Sequence, residues 1–124
     1  MTRFLLVCLG GAVGTGARYL VGGHAERLLG KGFPYGTLSV NLVGSFLIVL
    51  IMHLGLTRSA ISPDARVILT TGVMGGFTTY SSFNFETLQF LRDGRPALAL
   101  LNVGVTLLGC LAAVGFALLL TRWL

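Results

Sequence analysis

Four apolar stretches, roughly residues 4–22, 38–56, 67–91 and 97–121, constrain this chain more than any other feature. Each is about the length that carries a helix across a ~30 Å hydrocarbon layer. Within 124 residues they leave only short connections, so residues 1–124 have room for one domain and almost nothing outside the membrane. With 54% of residues hydrophobic and only 10% charged, a water-soluble surface of ordinary charge density cannot be assembled. The expected architecture is therefore an all-α integral membrane protein of four transmembrane helices. Punctuation falls between the stretches, in Gly30-Lys31-Gly32-Phe33-Pro34, in Ser62-Pro63-Asp64 and in Arg92-Asp93-Gly94-Arg95-Pro96. Ser62 before Pro63, and Pro96 at a first helical position, mark helix starts.

Arg3 followed by apolar residues 4–9 has the outline of a signal peptide. Its apolar centre is short, however, and the pattern runs on through Gly10, Gly11, Ala12, Val13 and Gly14, so a retained first helix is expected. Cys8 and Cys110 both lie inside apolar stretches, without metal-type spacing to His24 or His53. They read as packed thiols or helix-contact residues rather than as a disulfide.

The net charge of +5 comes from nine Lys and Arg against four acids, scattered singly between apolar runs. No basic stripe interleaved with aromatics exists, which excludes nucleic acid as a partner and leaves interfacial anchoring. Four spans put both termini on one side, with Arg3, Arg58, Arg66 and Arg122; Arg27, Lys31, Arg92 and Arg95 fall on the other. This balance gives the positive-inside rule nothing to act on, unless Arg18 tips it, so the chain is expected to insert in both orientations. Dual insertion makes an antiparallel homodimer available, and four short helices alone hardly enclose a selective pathway.

The third stretch is unlike the others, because Gly72, Gly75 and Gly76 fall in its middle and Thr78 and Thr79 follow. A helix broken near its middle is predicted there, with a continuous helix that uses glycine for packing as the alternative. Elsewhere Gly10 and Gly14, and Gly104, Gly109 and Gly115, suit close helix packing in lipid.

No enzyme constellation is present: His24 and His53 stand alone near segment ends, and Ser81 and Ser82 have no base at helical spacing. What remains is a set of polar groups inside apolar helices, which need a structural partner or a ligand. Asn41, with Gly44 and Ser45 one turn on, makes a small polar face whose amide suits an anion or an interhelical hydrogen bond. Phe77, Tyr80, Phe83 and Glu86 recur every three residues. Such stripes ordinarily serve packing, but this one directly follows the predicted break, and ring edges carry partial positive charge that can face an anion. Asn102, Thr106 and Cys110 repeat every four residues as a polar track on an apolar helix, which suits a small ion passing in steps.

The whole chain resembles the Fluc-type fluoride channels, the CrcB family. The resemblance is carried by Gly10-Gly11, Gly14 and Arg18-Tyr19, by Gly36-Thr37-Leu38 and Val40-Asn41-Leu42-Val43-Gly44, and above all by Gly75-Gly76-Phe77-Thr78-Thr79-Tyr80-Ser81-Ser82-Phe83. It implies a fluoride-selective passive channel in the cell inner membrane that exports fluoride from the cytoplasm and relieves its toxicity. It also implies an antiparallel, dual-topology homodimer with two fluoride pathways and a central structural sodium ion, held by backbone carbonyls that match Gly75 and Thr78. Asn41, Tyr80 and Phe83 match the pore amide and the pore-lining rings, and Asn102, Thr106 and Cys110 the polar track. Ser81 is expected to add a pathway hydroxyl, while Arg18, Thr37 and Glu86 match groups near the aqueous vestibules. The chain departs from the family pattern at Tyr80, where members usually carry Phe, and at Asn102, where relatives often carry Tyr.

A small dual-topology multidrug or cation exporter is the alternative. Such antiporters need a membrane-embedded acid in the first segment, and this chain has none: the acid within a segment is Glu86. A non-transporting helper subunit is a third reading, and neither rival accounts for the motif of the third segment.

Overall fold

The computed structural model describes all 124 residues and is built from helices alone. Helix α1 (Thr2–Leu29) and α2 (Tyr35–Leu56) are followed by a third segment made of several pieces. These are α3 (Pro63–Val67), wide π-helical turns over Ile68–Met74, the short α4 (Gly75–Phe77) and, after a break, α5 (Tyr80–Arg92). Helix α6 (Pro96–Thr121) completes the chain. Three of these helices, α1, α2 and α6, are each long and apolar enough to cross a membrane alone. The third segment crosses in pieces.

Each boundary has a local cause. Ser62 accepts the Ala65 amide at 3.2 Å ahead of Pro63, and Pro96 opens α6, where the missing N–H of proline costs nothing. Helix α1 ends at Gly30, whose φ of 92° favours a residue without Cβ. It runs past the apolar stretch because His24, Glu26 and Arg27 continue the helical turns at its polar end.

The break does not fall at the glycines. Gly72, Gly75 and Gly76 stay helical, and the extended residues are Thr78 (φ −89°, ψ 161°) and Thr79 (φ −152°, ψ 116°). β-Branched side chains favour the extended region, so a threonine pair is the weak point of the segment. The glycines serve a different purpose. α1 lies directly on Ile68–Met74 and α4, and a Cβ at Gly14 would collide with the Val73 carbonyl, one at Gly76 with the Gly11 carbonyl. A Cβ at Gly72 would stand 2.8 Å from the Val7 carbonyl oxygen. This is a backbone-to-backbone seam of small residues, the usual means of close helix approach in lipid. The last helix behaves otherwise: Gly104 and Gly115 face open space and only Gly109 meets another helix, at the Leu42 side chain.

Helix α2 occupies the centre, packed on α1 along one side and on α6 along the other, and α6 in turn carries α5. Only 14 of 124 residues are buried, so most apolar side chains point outward, as a lipid or a second subunit demands of a chain this small. Both cysteines are free; Cys8 is exposed on the outer side of α1 rather than packed, because the inner side of that helix is taken by the glycine seam.

Candidate functional site

The break is where a site is built. Asn41, on α2, faces Thr79 and engages its backbone twice: Asn41 Nδ2 donates to the Thr79 carbonyl at 3.0 Å, and the Thr79 N–H donates to Asn41 Oδ1 at 2.8 Å. One turn on, Gly44 lets α2 close against the methyl group of Thr78, which any Cβ at that position would strike. Thr79 also caps α5, its hydroxyl accepting the Ser82 amide at 3.3 Å and donating to Ser82 Oγ at 3.1 Å. Because Thr78 and Thr79 leave the helical path, α5 begins afresh at Tyr80, and the first amides of a thirteen-residue helix lie beside the break.

Two carbonyls are released by the same geometry. Thr79 N–H would close the next helical turn on the Gly75 carbonyl, but Asn41 takes it. The Thr78 carbonyl lies in the extended stretch and accepts Arg18 Nη1 at 3.3 Å. Hard carbonyl oxygens without helical donors are the kind of ligand an alkali cation takes, so the residues present fit such an ion.

A groove of about 490 Å³ runs past the break, between α2, the π-helical turns, α5 and α6. Asn41, Tyr80, Phe83, Thr106 and Cys110 all line it, together with Gly75 and Thr78. Phe83 is 5% exposed and Tyr80 70% exposed, with ring centroids 5.6 Å apart and planes tilted by 47°. Thr106 is buried, and its hydroxyl has no partner. Its track neighbour Asn102 stands outside the groove: at 1% exposure it donates Nδ2 to Thr87 Oγ1 at 2.9 Å. Ser81 is exposed beside the cap, 3.4 Å from the Thr79 hydroxyl, and also lies outside the groove.

The residues expected at the vestibules assemble on the other side of the break. Arg18 and Thr37 line a mostly polar groove of about 350 Å³ that reaches from Glu26 down to Thr79 and Ser82. Thr37 Oγ1 donates to Glu86 Oε1 at 2.5 Å, and Glu86 continues into a third groove with Glu26, Lys31 and Arg95. Thr79 thus lines both this groove and the one at the break, a position that sequence reading assigned only to the break. Thr87 was missed as well, although a lone amide such as Asn102 in an apolar helix calls for a partner of its kind.

The model of the family described as CrcB-like protein, Camphor Resistance (CrcB), matches residues 5–118. This chain is a member of the CrcB family. CrcB relatives resemble it over their full length. A protein of Anaeromyxobacter dehalogenans named fluoride-specific ion channel FluC is 57% identical over 124 residues, covering 100% of this chain and 98% of that one. Proteins of the same name from Sorangium cellulosum (45% identical, 98% of this chain and 96% of that one) and Geobacter sulfurreducens (44%, 100% of each) extend the similarity. Like the CrcB fold it shares, the chain is a multi-pass membrane protein.

Proposed function

We propose that the chain is one subunit of a passive, fluoride-selective channel of the inner membrane, which lets fluoride leave the cytoplasm and relieves its toxicity. Full-length similarity to proteins named fluoride-specific ion channels carries this reading. The groove at the break supplies a chemical rationale. Fluoride is small and strongly hydrated, so a selective path must replace its water with several donors while holding it weakly enough for release. One hydrogen of the Asn41 amide is committed to Thr79, which leaves the second for an anion. The ring edges of Tyr80 and Phe83, the unpartnered Thr106 hydroxyl and the Cys110 thiol follow along the groove, and Ser81 offers a hydroxyl at the helix end. Asn102 supports this track from behind through Thr87. Arg18 and Thr37 draw the anion into the vestibule, with Glu86 fixed beside Thr37.

The groove is open along one side, and an antiparallel second copy is its natural cover, which the even division of basic residues between the two ends makes accessible. In that homodimer the Gly75 and Thr78 carbonyls of both copies would hold a sodium ion near the two-fold axis. The ion would supply fixed positive potential beside the anion path.

Fluoride efflux from liposomes carrying the purified protein, voltage-clamped with valinomycin and read by a fluoride electrode, tests the proposal. Release of fluoride without chloride is expected. Reconstituted dimers that release neither ion, or both equally, sink it.

A further inference from the structure

We infer that Asn41 is a positioning residue for the cation as well as a donor for the anion, because it holds the Gly75 carbonyl open. The inference rests on the reading of Gly75 and Thr78 as cation ligands and adds the residue that keeps one of them available. Thr78 N–H still closes a helical turn on the Met74 carbonyl at 3.0 Å. One more step of the same helix would put Thr79 N–H on Gly75. Asn41 Oδ1 intercepts that N–H at 2.8 Å, and Nδ2 secures the Thr79 carbonyl at 3.0 Å, so the amide clasps the residue like a partner strand and holds it extended. Gly44 seats α2 directly against Thr78, which keeps Asn41 within reach of Thr79.

Gly75 is exposed on the single subunit, and once a second copy covers that face a carbonyl without a donor is unfavourable unless a ligand satisfies it. The clasp therefore keeps the Gly75 carbonyl free for a cation. It also ties the two ions to one side chain: Oδ1 acts on the cation through Thr79, and the remaining amide hydrogen faces the groove.

The two halves of the amide can be separated. In Asn41→Asp a carboxyl oxygen still accepts Thr79 N–H, the bond that keeps this N–H off Gly75, while the donors to the Thr79 carbonyl and to the anion are lost. In Asn41→Leu both functions go, and Thr79 N–H is free to return to Gly75. Retention of radiolabelled sodium by purified dimers, together with the carbonyl carbon shift of labelled Gly75 in sodium against N-methylglucamine, reads the cation directly. Asn41→Asp is expected to keep sodium affinity within about threefold of the parent and to lose fluoride flux. Asn41→Leu is expected to weaken sodium about tenfold or more, the scale of one buried hydrogen bond, and to lose the sodium-dependent Gly75 shift. If Asn41→Leu does not assemble, Asn41→Ser replaces it with the same expectation, its hydroxyl being too short to reach Thr79. Parent-like sodium retention by Asn41→Leu or Asn41→Ser overturns the inference and leaves the cation reading standing. No sodium retention by the parent dimer removes both.

Discussion

Asn102 on α6 and Thr87 on α5 are joined by a partly buried hydrogen bond of 2.9 Å, and Thr87 passes its own hydroxyl hydrogen to the Phe83 carbonyl at 2.8 Å. The backbone at Phe83 is therefore latched to the last helix through two side-chain hydrogen bonds. Because these are neutral partners between apolar helices, the latch contributes about 0.6–2 kcal/mol. Asn102→Ala and Thr87→Val are each expected to lower the thermal stability of the purified dimer. A double-mutant cycle should recover that coupling, and strictly additive losses would show that the two side chains do not interact.

The glycine seam predicts a sharp contrast along α1. Gly14→Ala places a methyl group on the Val73 carbonyl and should destabilise by about 1–3 kcal/mol or prevent folding. Gly16→Ala, two residues away with nothing near its Cβ, should be neutral or gain up to about 1 kcal/mol from helix propensity. Melting curves in one detergent decide between them.

Tyr80 carries a phenol on a ring that is 70% exposed within the single chain, against a buried Phe83. If the ring edges conduct, the hydroxyl is dispensable: Tyr80→Phe should keep fluoride flux within about threefold, whereas Phe83→Ile should lower it about tenfold or more. Equal flux from the parent and Phe83→Ile would remove the rings from the pathway.

Arg18 reaches the break from the vestibule side, 3.3 Å from the Thr78 carbonyl. Arg18→Gln is expected to slow fluoride entry by about tenfold at low ionic strength, and the deficit should shrink as salt screens the parent's guanidinium. Flux assays across a salt series give the comparison, and a deficit that ignores salt would assign Arg18 to structure alone.

Apart from Arg18, the basic residues divide four and four between the two ends, so reporters fused to the C-terminus should appear on both sides of the membrane in comparable amounts. Ala60→Lys and Gly32→Lys, each exposed and at opposite ends, should skew the population in opposite directions. A single orientation in the parent chain would defeat the dual-topology reading.

Three of the crossings were legible because length and hydropathy alone specify them, and the break near the middle of the third segment was legible because so many helix-weakening residues cluster there. Which of those residues leave the helix was not. Gly72, Gly75 and Gly76 look like the weak residues when only propensity is considered, yet α1 needs their missing side chains, and the fracture passes to Thr78 and Thr79. Asn41, Tyr80, Phe83, Thr106 and Cys110 were readable as polar or aromatic residues at helical spacing, and they share one groove. The same spacing put Asn102 on the track, but its approach to Thr87 depends on how α5 leans on α6, which no single-helix pattern encodes. The double engagement of Thr79 by Asn41 was hidden for a similar reason: it joins positions 38 residues apart.

Where α1 meets the first half of the third segment, main chain rests on main chain, and no rotamer stands between them that could flip to let one slide past the other. The two elements are interlocked as one block, and the chain leaves the helical path only at the two threonines that follow it.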